Sequence, residues 1–349
     1  VNERLPAAVI AGLGAWVPPN LVTNEDLAGR LDTTDEWIRT RSGIGQRYHV
    51  PPGLHTSDLA VAAGQRAMAS AAVSDVDCVV LATETPDRRV PGTAPVVAER
   101  LGLRGRGALD VNAACSGFVY GLATGAGLIA TGTAATVLVI GADTNSLYLD
   151  PADRSLYPLM GDGAGAVVLR RGDRAEPGAL GRFTLGSDGS LVDLITSPGI
   201  GSEQRASGEP MTAADVHTRM QGRAVFEHAV VRMSDAVGTA LELAGWPQAE
   251  LDRVVAHQAN LRILRAVGRR LGLTDDQVPI HLDRVGNTVA ASIPLALADA
   301  TRSGALKAGH RTALVAFGAG ASWAATTVHW PELDLSATHF PYHHTGSTA

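Results

Sequence analysis

The chain has 349 residues, 45% of them hydrophobic and 18% charged, with a formal net charge of −6. That content buries one large core or two medium ones, argues against disorder, and offers nucleic acid no general basic field. Its two cysteines, Cys78 and Cys115, are too few for a disulfide framework and point to a reducing cytoplasm.

The opening VNERLPAAVIAGLGAW carries no charged leader ahead of a cleavable apolar stretch, and later apolar runs are broken by Gly, Asp or Arg, so neither a signal peptide nor a membrane span is expected. Continuous apolar runs predict buried strands at Ala8–Ala11, Cys78–Ala82, Thr136–Gly141, Ala166–Leu169, Val254–His257 and Thr312–Phe317. Helical patterns lie between them at Ser57–Ala72, Ala224–Ala244 and Leu261–Leu271. Strands alternating with helices predict an α/β fold with parallel strands.

The two halves repeat one order. VDCVVLAT, ACSG opening a small-residue helix and TVLVIGAD in the first half match LDRVVAHQ, GNTVAAS opening a small-residue helix and TALVAFGAG in the second, with similar gaps. A duplicated α/β unit follows, with lobes at 1–175 and 176–335 divided at the charged RRGDRAEP near Arg171–Pro177. The polar tail 336–349, with His339, His343 and His344, reads as a frayed end rather than a metal site.

Cys115 follows the apolar ALDV and opens a helix without charges. There its sulfur faces unpaired amides and the positive helix end, which favour thiolate; a buried structural cysteine is an equal alternative. Cys78 lies inside a strand and reads as core. His257 ends a core strand, where sites collect in α/β sheets, and Asn287 sits in a Gly–Asn–Thr turn; each alone is more often structural. The duplication gives Cys115 and Asn287 equivalent places, so pseudo-twofold symmetry brings them together with His257 as nucleophile, amide donor and imidazole. GLGAW and GDGAG are not G-x-G-x-x-G, no P-loop lysine follows them, and there is no G-x-S-x-G elbow.

DTTDEWIRTRSGI (32–44), AACSGF (113–118), GDGAGAVVL (161–169), AHQANLRI (256–263), GNTVAASIPLAL (286–297) and AFGAGASW (316–323) resemble the β-ketoacyl-acyl-carrier-protein synthase III family over about residues 8–330. The resemblance implies a thiolase-like fold: two pseudo-symmetric βαβαβαββ lobes in five αβαβα layers. It implies Cys115 as nucleophile, His257 and Asn287 as its partners, and the amides of Cys115 and Ala319 as oxyanion hole. Trp37, Arg41, Arg154 and Asn260 would hold coenzyme A and its pantetheine arm. Coenzyme A thioester is then substrate, with no metal and no permanently bound cofactor. Malonyl-acyl carrier protein is the second substrate, met by a basic face of Arg262, Arg265, Arg269 and Arg270. A homodimer is implied, in which the partner subunit supplies the residue at Val90 to cap the acyl pocket.

Val90 and Met160 stand where many relatives have phenylalanine, and Glu227 where many have a basic residue. The smaller Val90 predicts a primer longer or more branched than acetyl, and the three changes suggest a specialised pathway such as polyketide priming. A same-fold acyltransferase that moves an acyl group from Cys115 without decarboxylation is the alternative. A papain-like hydrolase lacks C-G-[SA]-C-[WY] here, and a non-catalytic carrier-binding module would not need Cys115.

Overall fold

The computed structural model describes residues 5–199 and 201–341. β1 (Ala7–Trp16) is followed by a hairpin of β2 (Asn20–Thr23) and β3 (Gln46–His49) that encloses α1 (Asn24–Ala28) and α2 (Asp35–Ser42). Next come α3 (Thr56–Ser70), β4 (Cys78–Ala82), α4 (Ala94–Arg100), β5 (Gly107–Val111), α5 (Gly117–Ala130), β6 (Thr136–Asp143) and β7 (Gly163–Gly172). β8 (Thr184–Ser187) leads into an irregular region with two-residue strands β9 (Ile195–Thr196) and β10 (Arg219–Met220) and short helices α6 (Ser202–Ser207) and α7 (Ala213–Val216). The chain closes with α8 (Gly222–Ala244), β11 (Arg253–Ala256), α9 (Leu261–Arg270), α10 (Leu282–Val285), α11 (Ser292–Ser303), β12 (Arg311–Gly318) and β13 (Ser322–His329).

Two large sheets result, ordered β1-β7-β6-β4-β5 and β11-β12-β13-β8, beside the two-stranded pairs β2-β3 and β9-β10. They are mixed, not wholly parallel as the alternation suggested. β5, β4 and β6 run parallel, as do β11 and β12, while β1–β7, β6–β7, β12–β13 and β13–β8 pair antiparallel. The turn Ala319–Ala321 is too short for a crossover, so β13 must fold back against β12.

Helices α5 and α11 lie between the sheets, α3 covers the outer face of the first, and α8 covers the second with α9 packed on α8. The layers are therefore helix, sheet, helix pair, sheet, helix. α5 has no charged residue because both its sides are covered, and Phe118, Val119, Leu122 and Ile129 are fully buried.

The duplication is visible in single hydrogen bonds. Asp77 Oδ2 accepts from Thr136 N–H at 2.9 Å, and Asp252 Oδ2 from Arg311 N–H at 2.8 Å. Asn112 Oδ1 accepts from Ala114 N–H, and Asn287 Oδ1 from Val289 N–H. Ala114 and Val289 both adopt left-handed backbone, φ 46° and 51°. Every one of these pairs stands 175 positions apart. That corrects the expected equivalence: Asn287 matches Asn112, and the match of Cys115 is Ala290.

The two units touch backbone to backbone. A Cβ on Gly318 would lie 2.8 Å from Cys115 N, and one on Gly141 would lie 2.4 Å from Ala290 O. Gly141→Ala should therefore cost about 3 kcal/mol or more, because rigid backbone must move. Urea unfolding measures it, and a loss below about 1 kcal/mol would show the contact to be looser than described.

Candidate active site

Cys115 is in a short 3-10 turn, Ala114–Ser116, that precedes α5. Cross-unit hydrogen bonds hold this turn. Ser116 Oγ donates to Ser322 O at 3.0 Å, and Ser322 Oγ reaches Ala113 O at 3.3 Å and Ala319 O at 3.0 Å. Ala319, whose amide is the expected second oxyanion donor, thus belongs to the turn pinned beside Cys115.

His257 is buried just beyond β11, where its amide donates to Val315 O. Its Nδ1 lies 2.6 Å from Ser292 Oγ, and that oxygen also accepts from Gln258 N–H at 3.3 Å. The direction of that bond follows the ring tautomer: with the imidazole hydrogen on Nε2, the hydroxyl donates to Nδ1. Burial pushes the imidazole pKa down to about 4, against an opposing backbone hydrogen bond with Val289, so the ring is neutral at pH 7.

Asn287 is tied at its backbone to the segment before β7: its N–H donates to Leu159 O and its carbonyl accepts from Gly161 N–H. Because Oδ1 is taken by Val289 N–H, the side-chain N–H₂ is the group left to donate outward. Val289 connects the three candidates. It packs with Leu149, Leu156 and Met160 in a cluster that Cys115 joins, bonds His257 through its backbone, and orients Asn287. Met160 is a buried member of the cluster against which Cys115 packs.

The electrostatics of Cys115 differ from the expected helix-end thiolate. Burial pushes the thiol well above its ordinary pKa, and the carboxyls of Glu84 and Asp143 push it further. A neighbouring carboxylate charge and low dielectric outweigh half-charges at a helix end. Asp143 is buried and accepts from Thr83 Oγ1, Glu84 N and Thr85 Oγ1 on one oxygen and from Ala290 N on the other. The sequence reading passed over Glu84, Asp143, Ser292 and Ser322. Asp143 closes a strand already identified, so a buried acid there was the available signal.

On the surface, Trp37 of α2 has the Arg41 guanidinium 4.4 Å and the Arg154 guanidinium 5.3 Å from its ring centroid. Arg154 also pairs with Asp32 at 2.6 Å. Thr34 caps α2 by accepting from Trp37 N–H, which fixes the helix that presents both Trp37 and Arg41. Asn260 caps α9, accepting from Arg262 N–H at 2.8 Å, and donates to Arg41 O at 3.2 Å. Both ends of its side chain are thus engaged in joining α9 to α2.

α9 buries Ile263, Leu264, Val267 and Gly268 and exposes Arg262, Arg265, Arg269 and Arg270. Arg270 pairs with Asp235 at 3.2 Å and Arg265 lies 3.9 Å from Asp275. Arg262 and Arg269 have no ion pair among the described residues. Val90 is 75% exposed and lies away from the Cys115 cluster of its own chain. Glu227 pairs with Arg223 on α8. Of the tail histidines, His343 and His344 lie outside the described residues, and no metal-holding cluster occurs among those described. No helix among them is long and apolar enough to cross a membrane.

Two mixed sheets over an inner helix pair, with a cysteine turn of one unit pressed on a strand end of the other, are the architecture of thiolase-fold condensing enzymes. Residues 109–189 match the family model described as 3-oxoacyl-[acyl-carrier-protein (ACP)] synthase III, and 241–330 match its C-terminal model. The chain is similar to beta-ketoacyl-[acyl-carrier-protein] synthase III 5 of Streptomyces coelicolor, with 54% identity over 94% of this chain and 98% of that one. It superposes on the crystal structure of 3-oxoacyl-(acyl carrier protein) synthase III from Pseudomonas aeruginosa PAO1 with TM-score 0.89 and 48% identity, covering 94% of this chain and 99% of that one. The priming β-ketosynthase of the R1128 polyketide pathway gives TM-score 0.86 at 34% identity, covering 95% and 99%. The chain belongs to the 3-oxoacyl-[acyl-carrier-protein] synthase III family. It is an acyltransferase-class condensing enzyme whose decarboxylative condensation initiates fatty-acid or polyketide synthesis.

With the thiol held high by burial and two carboxyls, alkylation of Cys115 by iodoacetamide should keep rising through pH 9. A rate that levels off below pH 8, read by mass spectrometry, would restore the helix-end thiolate.

Proposed function

We propose that Cys115 takes the acyl group from an acyl-coenzyme A, and that His257 and Asn287 then drive condensation with malonyl-acyl carrier protein. The supporting observation is the shared neighbour Val289, which orients the Asn287 amide, contacts the His257 ring and packs in the cluster that Cys115 joins.

In the first half-reaction the Cys115 sulfur attacks the thioester carbonyl, the carbon–sulfur bond to coenzyme A breaks, and the thiol proton ends on the departing coenzyme A. The tetrahedral oxyanion is held by the amides of Cys115 and Ala319. Trp37 offers a face for the adenine and Arg41 and Arg154 offer positive charge for phosphates.

In the second half-reaction the malonyl thioester carbonyl takes the place of the Val289 backbone as acceptor of the His257 ring N–H and also accepts from Asn287 Nδ2–H. Loss of carbon dioxide leaves an enolate whose charge sits on that oxygen, and two preorganised donors in a dry site stabilise it. The enolate carbon attacks the acyl carbonyl, the Cys115 sulfur leaves, and a β-ketoacyl thioester remains on the carrier. A neutral imidazole suits this role, since the ring must donate without giving up its proton. No resident metal or cofactor is needed. The Arg262 and Arg269 charges, not neutralised by neighbouring acids, suit an acidic carrier protein.

The protein acts in the cytoplasm as a homodimer in which exposed Val90 of each subunit enters the other's acyl pocket. The second reading, acyl transfer to a non-malonyl acceptor, has less support because an intact His–Asn donor pair is of use only where an enolate forms.

Cys115→Ala should abolish acyl loading, seen by intact mass. His257→Ala and Asn287→Ala should still load acyl groups but release carbon dioxide from malonyl carrier about 10²–10³-fold more slowly. If these two variants lose loading and decarboxylation in parallel, the division of labour is wrong. Separately, charge reversal of Arg262 and Arg269 to Glu should raise the KM for malonyl carrier on the order of 10-fold at low salt, with the difference shrinking as salt rises. An unchanged KM would remove α9 from docking.

A further inference from the structure

A cavity of about 530 Å³ abuts the cysteine turn, walled by Ala113 and Ala114 on one side and Ala319 and Gly320 on the other. These residues flank the sulfur and the expected oxyanion amide. Its wall contains none of Trp37, Arg41, Arg154 and Asn260, nor Cys115 or Met160 themselves, and its place against both sides of the cysteine turn suits an acyl chain better than coenzyme A. Its wall is not hydrocarbon throughout. Glu84 and Asn145 both line it, and Asn145 Nδ2 donates to Glu84 Oε1 at 2.5 Å.

Two details make this pair a binding group rather than a closed structural bond. Asn145 is only 1% exposed, yet its Oδ1 is buried with no hydrogen-bond partner. An orphaned buried acceptor costs stability unless something supplies a donor. The Glu84 carboxyl has one side-chain acceptor bond, whereas neighbouring Asp143 has four, and burial pushes both carboxyls above their ordinary range, Asp143 well above it. Burial raises Glu84 to about 7, which lets it accept when ionised and donate when neutral.

We infer that Glu84 and Asn145 form a polar subsite of the acyl cavity that selects a primer bearing a hydrogen-bond donor, a hydroxyl or an amino group, beyond the thioester carbonyl. The inference rests on the reading that Cys115 carries the acyl group. A pocket with unpaired acceptors discriminates strongly: an isostere with methyl in place of hydroxyl leaves them unsatisfied, whereas the hydroxyl satisfies them. Hydroxyacyl and aminoacyl groups share this chemistry. The amine also gains from the acidic surroundings once Glu84 is ionised.

The test is Cys115 loading of the full chain in single turnover at pH 6 and 8, followed by intact mass. The probes are 3-hydroxybutyryl-, 3-aminobutyryl- and 3-methylbutyryl-coenzyme A, with 5-hydroxypentanoyl- and hexanoyl-coenzyme A as the longer pair. Wild-type protein should load at least one donor-bearing thioester about 10-fold or more faster than its methyl counterpart. A hydroxyl preference at both pH values identifies a hydroxyacyl primer, and an amine preference that grows at pH 8 identifies an aminoacyl one. Asn145→Leu should abolish or invert the preference. Glu84→Gln, which preserves shape, should keep hydroxyl loading within a few-fold while removing any amine preference. Methyl probes loading as fast as their donor counterparts would overturn the subsite and leave the proposed reaction intact. So would a donor preference that survives both variants. If no thioester loads, the assignment of Cys115 fails, and this inference with it.

Discussion

The close approach of two backbones, Gly318 on Cys115, is the constraint from which the rest of the site follows. With no Cβ on Gly318, the end of β12 lies directly on the cysteine turn, and the Ser116–Ser322 bond fastens that arrangement. The reciprocal contact, Gly141 on Ala290, does the same for the turn that starts α11. Left-handed backbone at Ala114 and Val289 costs on the order of 1–3 kcal/mol at each residue, and such strain persists only where surrounding bonds over-determine it. Here the bonds come from both units: Asn112 and Asn287 hold Ala114 and Val289 from their own unit, while Ser322 and Asp143 hold the neighbouring Ser116 and Ala290 from the other. The reactive geometry is a property of the junction.

That junction is also where the buried charge lies. Asp143 reaches across to the Ala290 amide, and its carboxyl and that of Glu84 both oppose ionisation of the sulfur. The result is a thiol that stays protonated until substrate arrives. For thioester exchange this is no great handicap. In the proposed exchange the departing group is itself a thiol, the proton it needs is the one Cys115 would give up, and the proposed oxyanion amides would act at the tetrahedral stage whatever the resting ionisation. A protonated, half-buried thiol is also less reactive toward stray oxidants than a solvent-facing thiolate.

Much of this was legible in the sequence. Strand Cys78–Ala82 has the expected bounds, and the other core strands and long helices fall within a few residues of the apolar runs that signalled them. β13 was missed because SWAATTVH, buried against both β12 and β8, mixes threonine with alanine and shows neither a continuous apolar run nor a clean alternation. Antiparallel pairing was missed because apolar runs report burial, not direction. Trp37, Arg41 and Arg154 were nominated by resemblance, and their gathering around one ring could not be read from positions so far apart in the chain. The thiol's electrostatics were misjudged for a related reason: the helix end is local and visible, whereas Glu84 and Asp143 approach from other strands.

The constant offset between the units explains why there is one centre and not two. Each unit builds the same Asn-led, left-handed turn, with Asn112 and Asn287 making the same bond. The remaining positions have diverged in opposite directions. Where the first unit has Cys115 the second has Ala290, and where the second has His257 the first has Ala82. Opposite Gly318, whose missing side chain makes room for Cys115, the first unit has Asp143, whose carboxylate bonds the Ala290 amide. The mirror position is therefore not an empty copy of the site. Its amide is already satisfied, methyl groups stand at the places of Cys115 and His257, and its Asn112 lines the cavity beside the cysteine turn. One unit's turn carries the sulfur, the other's carries Asn287 with His257 beyond the neighbouring strand, and the carboxyl that closes the second centre adds to the burial and the Glu84 carboxyl that raise the thiol of the first.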